Sequence, residues 1–271
     1  MDIGIVVFPG SNCDADAYHA VRDVLGGSAH YVWHEEQSLS GLDAVILPGG
    51  FAYGDYLRAG AIAATSPVVR ALRGYAAAGG LTLGICNGFQ VLLESGVLPG
   101  AMRPNACGRF RCEFVQVRAE RVDTPFTAML AAGQVLRMPI AHAEGNYYAD
   151  GPTLDLLWAR RQIVFRYCDP SGALSPQANP NGACDAIAGL VDERGTTLGL
   201  MPHPERACEA VLGSEDGRLI FASLARWIAA RDASAAGARP PEEFAAAIGA
   251  LGGPEPPYGQ RPGCDLRGGE P

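Results

Sequence analysis

The chain has 271 residues, of which 48% are hydrophobic and 18% charged, and its formal net charge at pH 7 is -8. This length and composition are sufficient for a sizeable buried core. The acidic balance argues against a nucleic-acid-binding surface as the main activity, and no apolar run is long enough to cross a membrane. The composition therefore favours a protein that handles small molecules.

The cysteines do not predict a disulfide framework or a metal site. There are 8 of them, but even numbers of cysteines indicate disulfides mainly in short secreted chains, and this chain opens without a signal segment. Cys107 and Cys112 have no second pair at the spacing of zinc ligands. We therefore expect a cytoplasmic protein with no metal.

Short apolar runs alternate with helical patterns over the first 85 residues. Continuous apolar runs are typical of strands that are buried on both faces, and such strands form parallel sheets covered by helices. This pattern predicts an α/β protein with an open, mostly parallel sheet flanked by helices. The strand-like runs lie at 3–8, 31–33, 44–47 and 81–85, and the helical patterns at 14–25 and 67–78.

The middle of the chain predicts a small antiparallel flank on this sheet. Three strand-like segments joined by turns lie at 114–118, 134–140 and 163–167. A last short strand at 197–201 follows, and then a helix at 217–231.

The composition changes near the C-terminus. Residues 1–232 are predicted to form one domain, and residues 233–271 an extension rich in Ala, Gly and Pro. Such a segment buries too little apolar surface to fold by itself, so we expect partial disorder. A docking arm for a partner protein is the alternative interpretation.

The central motif is Gly-Ile-Cys-Asn-Gly at 84–88, which has the form Gly-x-nucleophile-x-Gly. A strand precedes it and a helical pattern follows, which is the context of a nucleophile elbow. There the middle residue adopts a strained backbone conformation, and a helix N-terminus stabilises a thiolate. Cys86 is therefore the predicted nucleophile, and a structural buried cysteine is the alternative.

The predicted base lies in Pro-His-Pro-Glu at 202–205, at the end of the last strand. Residues two apart in an extended segment face the same side, and the prolines disfavour a helix. Glu205 is thus expected to accept the ring N–H of His203 and to fix the tautomer that takes a proton from sulfur.

Two backbone amides are expected to bind an oxyanion. One is that of Asn87, directly after the nucleophile. The other comes from the turn Pro-Gly-Gly-Phe at 48–51, through Gly50 or Phe51. His142, in the segment 142–147, is a further candidate for a substrate pocket or a partner contact.

Residues 84–90 and the segment His203-Pro204-Glu205 together resemble the class I, or triad, glutamine amidotransferases. Segments at 9–14, 48–61 and 202–206 further resemble the glutaminase subunits of the purine-pathway synthetases that convert formylglycinamide ribonucleotide to its amidine. The resemblance covers about residues 1–227. It implies a flavodoxin-like fold.

The resemblance also implies the activity. Cys86 is expected to attack the side-chain amide of glutamine and to form a thioester as ammonia leaves, with His203 and Glu205 completing the triad. Gln90 is a candidate substrate contact. One departure is Ala143, where the family usually has a glycine, and a methyl group is tolerated there unless φ is positive.

The family further implies ATP-dependent synthesis, but no cofactor is expected on this chain. It has no Gly-x-x-x-x-Gly-Lys-[Ser/Thr] loop, and it contains no lysine at all. By resemblance, ATP, Mg²⁺ and the ribonucleotide bind a large synthetase subunit, helped by a small third subunit. Ammonia must then pass between chains, so the surface at 53–55 and 142–147 is the expected partner contact.

Two other functions remain open. A cysteine peptidase or γ-glutamyl hydrolase on the same scaffold would act without partners. A redox-sensing or protein-binding module would use the cysteine without a base. The oriented histidine and glutamate at 203–205 argue against both.

Overall fold

The computed structural model describes residues 1–235, so most of the predicted extension at 233–271 lies outside the described residues. The strands are β1 (Asp2–Val7), β2 (Ser28–Trp33), β3 (Ala44–Leu47), β4 (Leu81–Ile85), β5 (Ala101–Arg103), β6 (Arg111–Ala119), β7 (Val135–His142), β8 (Asn146–Tyr148), β9 (Ile163–Cys168), β10 (Ile187–Val191) and β11 (Thr197–Leu200). The α-helices are α1 (Asp14–His19), α2 (Pro67–Ala77), α3 (Asn87–Glu94), α4 (Gly151–Ala159) and α5 (Arg218–Ala235).

A mixed sheet of nine strands organises the described part of the chain, in the order β2-β1-β3-β4-β11-β10-β9-β6-β7. The strands from β2 to β11 pair in parallel, and those from β11 to β7 pair antiparallel. The predicted fold class is confirmed. The antiparallel part is larger than the small flank that we expected, because it comprises the four strands β10, β9, β6 and β7.

Strand β10 is the element that the sequence did not reveal in this region. Gly189 interrupts its apolar run, and a Cβ there would lie 2.9 Å from the Gly199 carbonyl oxygen of β11. A short turn joins the two strands, in which the Asp192 carboxylate accepts hydrogen bonds from the Thr196 and Thr197 amides. So short a connection permits only an antiparallel hairpin.

The parallel strands bring four chain segments to one edge of the sheet. Strands β1, β3, β4 and β11 all end at this edge, which is where open α/β sheets bind ligands. The segments that follow them contain every predicted catalytic and oxyanion residue. Buried side chains from both parts of the sheet form one continuous core in the described residues.

Two further observations bear on the predicted organisation. Helix α5 continues to Ala235, past the expected start of the extension at residue 233. None of the helices in residues 1–235 combines the length and the apolar character needed to cross a membrane.

Candidate active site

Cys86 occupies a sharp turn between β4 and α3. Its backbone has φ 49° and ψ -102°, which is a strained conformation for a residue with a side chain. A Cβ on Gly88 would lie 2.0 Å from the Leu47 carbonyl oxygen, and one on Gly84 would lie 2.8 Å from that of Gly88. Both glycines are therefore required by close backbone approach, and Cys86 stands at the N-terminus of α3 as the elbow predicts.

His203 and Glu205 form a buried pair at the end of β11. The His203 ring donates from Nδ1 to Glu205 Oε1 at 2.6 Å, and only 2% of each residue is exposed. The His203 amide donates to the Pro139 carbonyl at 2.8 Å, which fixes the backbone of the base to β7. Because the Nδ1–H group donates its hydrogen bond to the carboxylate, Nε2 is the ring nitrogen that can accept a proton.

The charges of this site favour the protonated form of His203. Burial alone would lower the pKa of His203, but the neighbouring Glu205 carboxylate and Cys86 sulfur raise it well above its usual value. Cys86 is 4% exposed, and its thiol donates to the Ala141 carbonyl of β7 at 3.7 Å. The arrangement can thus deprotonate a buried thiol and retain the proton for a leaving group.

The two predicted oxyanion donors from the turn at 48–51 are not equivalent. The Phe51 amide donates to the Gly10 carbonyl at 3.1 Å and is already used within the protein. Gly50 has φ +146°, and a Cβ there would lie 2.8 Å from the Asn12 amide nitrogen. Asn87 begins α3, so its amide is one of those that a helix leaves without an internal partner.

Gln90 lies close to the nucleophile, but its side chain contacts other parts of the protein. Its Oε1 accepts from Asn87 Nδ2 at 3.0 Å, and its Nε2 donates to the Glu144 carbonyl at 2.6 Å. The residue is buried. These bonds connect α3 to the segment after β7, which makes Gln90 a support for the site.

The carboxyl groups of Asp55 and Glu144 lie beside the hydrogen bonds of Asn87 and Gln90. Asn87 Nδ2 also donates to Asp55 Oδ1 at 3.3 Å. Partial burial and the negative charge of Glu144 raise the pKa of Asp55 to about 6. The side-chain amide of Asn87 therefore links the turn after β3 to the nucleophile helix.

Comparisons with known proteins agree with this geometry. A family described as a CobB/CobQ-like glutamine amidotransferase domain matches residues 1–228. The PurQ subunit of phosphoribosylformylglycinamidine synthase from Moorella thermoacetica is 56% identical over 227 residues, which cover 84% of this chain and 96% of the relative. That from Symbiobacterium thermophilum is 54% identical over 231 residues, covering 85% and 98%. This chain belongs to the PurQ family of glutamine amidotransferases.

A solved structure of a family member supports the same assignment. The structure of PurLQS from Thermotoga maritima contains a chain that is 41% identical, with a TM-score of 0.74, over 84% of this chain and 98% of that one. The PurQ fold is thus retained over nearly the whole described region.

Ala143, in the segment after β7, is accommodated without backbone strain. It is absent from the residues with positive φ in the described part of the chain, so its methyl group needs no unusual backbone conformation. The neighbouring His142 donates from Nδ1 to Asn105 Oδ1 at 3.1 Å. Burial lowers the pKa of His142 to about 4, and the ring is neutral near pH 7.

Asn105 is a supporting residue that the sequence analysis missed. Besides His142, its Oδ1 accepts from the Gly145 amide at 3.0 Å, while its Nδ2 donates to the His142 and Arg109 carbonyls at 2.9 Å each. No local pattern marks an isolated asparagine as a partner of a loop 37 residues away. The segment 142–145 is therefore held by Asn105 and, through the Glu144 carbonyl, by Gln90.

Cys13 and Arg206 are two further residues beside the His203–Glu205 pair. Among the described residues, Cys13, His203 and Glu205 are the group that could hold a metal ion, with one ligand atom from each lying within 4.8 Å of the others. Arg206 Nη2, however, donates to Cys13 Sγ at 3.1 Å. A guanidinium on that sulfur disfavours a second cation, so the geometry suits a triad better than a metal centre.

Proposed function

We propose that this chain is the glutaminase subunit of a phosphoribosylformylglycinamidine synthase in de novo purine biosynthesis. It hydrolyses glutamine to glutamate and passes the ammonia to a synthetase subunit. The observation that carries the proposal is the elbow cysteine beside a buried histidine whose Nδ1 is bonded to Glu205 at 2.6 Å. A redox sensor does not need so defined a base.

In the first half-reaction, His203 Nε2 takes the proton of the Cys86 thiol, and the thiolate attacks the side-chain carbonyl carbon of glutamine. The carbonyl oxygen becomes an oxyanion as the carbon–sulfur bond forms. His203 then gives its proton to the amide nitrogen, the carbon–nitrogen bond breaks, and ammonia leaves. Cys86 is left as a γ-glutamyl thioester.

In the second half-reaction, water replaces ammonia beside His203. Nε2 accepts a proton from the water, and the oxygen attacks the thioester carbon. The carbon–sulfur bond then breaks, His203 returns its proton to the sulfur, and glutamate leaves with the Cys86 thiol restored. Glu205 holds the imidazole and stabilises its charged form in both halves.

The oxyanion is assigned to the amides of Asn87 and Gly50. Phe51 is the weaker of the two predicted alternatives because its amide already donates to Gly10. Each such donor contributes roughly 3 kcal/mol to stabilising the transition state. Gln90 stays the candidate substrate contact beside Cys86, with its side chain held by the Asn87 and Glu144 contacts.

ATP and Mg²⁺ are assigned to the partner synthetase subunit, and a small third subunit completes the complex. The relative from Thermotoga maritima was solved as PurLQS, which supports an assembly with further chains. The reaction is placed in the cytoplasm, as the sequence predicts.

The partner is proposed to cover the turn after β3. Phe51, Tyr56 and Leu57 are exposed apolar residues there, and Leu57 is 86% exposed. Tyr53, Asp55 and Leu57 all have positive φ, so the turn holds a defined but strained shape. This surface lies next to the nucleophile, where ammonia is released.

The decisive experiment uses the chain together with its candidate synthetase subunits. With ATP and formylglycinamide ribonucleotide present, Cys86→Ala is expected to abolish amidine formation from glutamine and to leave amidine formation from ammonium salts intact. Cys112→Ala, which removes an exposed free thiol, serves as the matched control. Glutamine-dependent turnover in Cys86→Ala would sink the assignment of the nucleophile.

The purine assignment has its own test in the same mixture. We expect the wild-type chain to hydrolyse glutamine faster when the synthetase, ribonucleotide and ATP are all present. No stimulation by the ribonucleotide would contradict the proposed pathway while leaving the glutaminase chemistry in place.

A further inference from the structure

Cys13 is a buried thiol that the proposed reaction does not use. It occupies the N-cap position of α1, at the end of the segment that follows β1, and only 2% of it is exposed. Its amide donates to the Gly49 carbonyl at 3.2 Å, which ties it to the turn that contains the proposed oxyanion donor Gly50. The backbone of Cys13 is thus fixed relative to the active site.

The Cys13 sulfur has partners on both its donor and its acceptor side. The thiol donates to Asn12 Oδ1 at 3.1 Å, and Sγ accepts from Arg206 Nη2 at 3.1 Å. The other side of that guanidinium is held by Asp16, which accepts from Nε at 3.0 Å. Burial raises the pKa of Cys13, so the group remains a neutral thiol and is not a second nucleophile.

The same sulfur lies against the catalytic pair. One ligand atom each of Cys13, His203 and Glu205 lie within 4.8 Å of one another. The Gly49 backbone approaches the same place, since a Cβ on Gly49 would lie 2.5 Å from His203 Cε1 and 3.2 Å from Cys13 Sγ. The imidazole is therefore confined by the Gly49 backbone at its Cε1 edge, with the Cys13 thiol close by.

The imidazole needs this confinement because its partner, the Glu205 carboxylate, is itself held by only one hydrogen bond. Glu205 Oε1 accepts from His203, but Glu205 Oε2 is buried and has no hydrogen-bond partner in residues 1–235. A single bond does not prevent the carboxylate and the ring from rotating together. Arg206, held on the Cys13 sulfur, places a positive charge that attracts the Glu205 carboxylate.

We propose that Cys13 is a positioning residue for the glutaminase reaction: its thiol packs against His203 and holds Arg206 beside the His203–Glu205 pair, so that the imidazole stays aimed at Cys86. This inference rests on the proposed function of the site. It assigns a role to the cysteine in the segment Pro-Gly-Ser-Asn-Cys-Asp at 9–14.

The test compares Cys13→Ala and Cys13→Ser with wild type in the complete synthetase complex. Cys13→Ala is expected to lower kcat for glutamine by about 10- to 100-fold, with KM changed by less than about 2-fold, because small misplacements of a base cost rate rather than binding. Cys13→Ser retains a donor and an acceptor and is expected to restore part of the loss.

Alkylation of Cys86 gives a readout that a purely structural role would not change. Iodoacetamide reacts with thiolates, and its rate at Cys86, followed by peptide mass mapping near pH 7, reports how well His203 removes the proton. We expect alkylation to slow by about 10-fold in Cys13→Ala, in proportion to the lost thiolate. Cys168→Ala, another buried free cysteine, is the matched control and is expected to behave as wild type.

Two outcomes would overturn the inference. One is a Cys13→Ala variant with wild-type kcat and wild-type alkylation of Cys86. The other is an equal loss of glutamine-dependent and ammonia-dependent synthesis, which would show that Cys13 acts on folding or assembly. Failure of the proposed function is distinguishable, because wild type itself would then lack glutamine-dependent synthesis.

Discussion

The two parts of the sheet contribute to the active site in different ways. The parallel part, β2-β1-β3-β4-β11, ends in the segments that contain Cys86, His203, Glu205 and Gly50. The antiparallel part, β10-β9-β6-β7, contributes main-chain oxygens from β7: the Pro139 carbonyl accepts from the His203 amide, and the Ala141 carbonyl accepts from the Cys86 thiol. Reactive side chains thus come from one part, and much of their positioning from the other.

This difference shows that the reactive groups and the groups that position them come from different parts of the sheet. Parallel strands end at a common edge, so residues far apart in sequence meet there without special side chains. The strands of the antiparallel part do not end together at the site. This part instead holds the backbone of the catalytic segments in place through β7. Changes in the parallel part should therefore remove a chemical step, whereas changes in the antiparallel part should weaken geometry or stability.

After Cys86→Ala, the largest effect is expected in the parallel part, from Glu205→Gln. The amide keeps the size of the side chain but cannot stabilise the imidazolium, so kcat for glutamine should fall roughly 1,000-fold or more. Steady-state glutaminase kinetics in the complex measure this. Glu209→Gln, at a partly exposed residue four positions later that pairs with His19, is the control. A loss below 10-fold would mean that Glu205 is not the orienting residue.

A smaller effect is expected in Asn105→Ala, which removes the support of the segment after β7. It leaves the buried Gly145 amide and the His142 ring and carbonyl without their partner. Each lost buried partner costs about 1–3 kcal/mol, and we expect the variant to unfold at lower denaturant concentration and to lose about 10-fold in kcat. Asn146→Ala, which loses a single bond of 3.4 Å, is the control. Wild-type stability would contradict a supporting role.

The smallest effect is a pH-dependent one at Asp55. Its raised pKa, about 6, means that the folded protein holds a proton that the unfolded chain releases between about pH 4 and pH 6. Stability therefore falls as the pH rises through that window. Asp55→Asn removes this cost, so above pH 6 the variant should be more stable by about 1 kcal/mol or less, after allowance for solvent screening. Denaturant unfolding at pH 4 and pH 8 measures the difference.

Asp43→Asn tests the opposite sign in the same experiment. Burial opposes ionisation of Asp43, but hydrogen bonds from Arg231 and the Asp2 amide lower its pKa overall. Its contribution to stability is present above its usual pKa and is lost as the pH falls below it. This variant should be less stable than wild type at pH 8, and the difference should shrink in acid. Equal curves for both variants would show that neither carboxylate is perturbed.

The predictions from the sequence succeeded where a local pattern was sufficient. The strands at 44–47 and 81–85 have the predicted limits, because apolar runs between glycine-rich turns leave little choice of structure. The strained backbone of Cys86 and the contact between His203 and Glu205 were also predicted, since the first needs only flanking glycines and the second only two residues in one extended segment.

Long-range contacts limited the rest. Gln90 was predicted to contact substrate from its place one turn after Cys86, but its bond to the Glu144 carbonyl, 54 residues away, was not foreseen. The size of the antiparallel part was underestimated because β10, which pairs with β9 and β11, was not recognised as a strand. In both instances the contact is made with the backbone of another segment. The side-chain pattern around a residue does not identify such a partner.

The sequence by itself determined the family of this protein, the nucleophile elbow and the edge of the sheet at which the base lies. These features follow from side-chain type and spacing within single segments, because glycines, prolines and apolar runs determine the local backbone structure. The tertiary structure alone decided which amides remain for an oxyanion, how Asn105 holds the segment at 142–145, and that Cys13 and Arg206 stand behind the His203–Glu205 pair. Those contacts join segments up to 193 residues apart, and only the packing of strands and loops brings them within bonding distance.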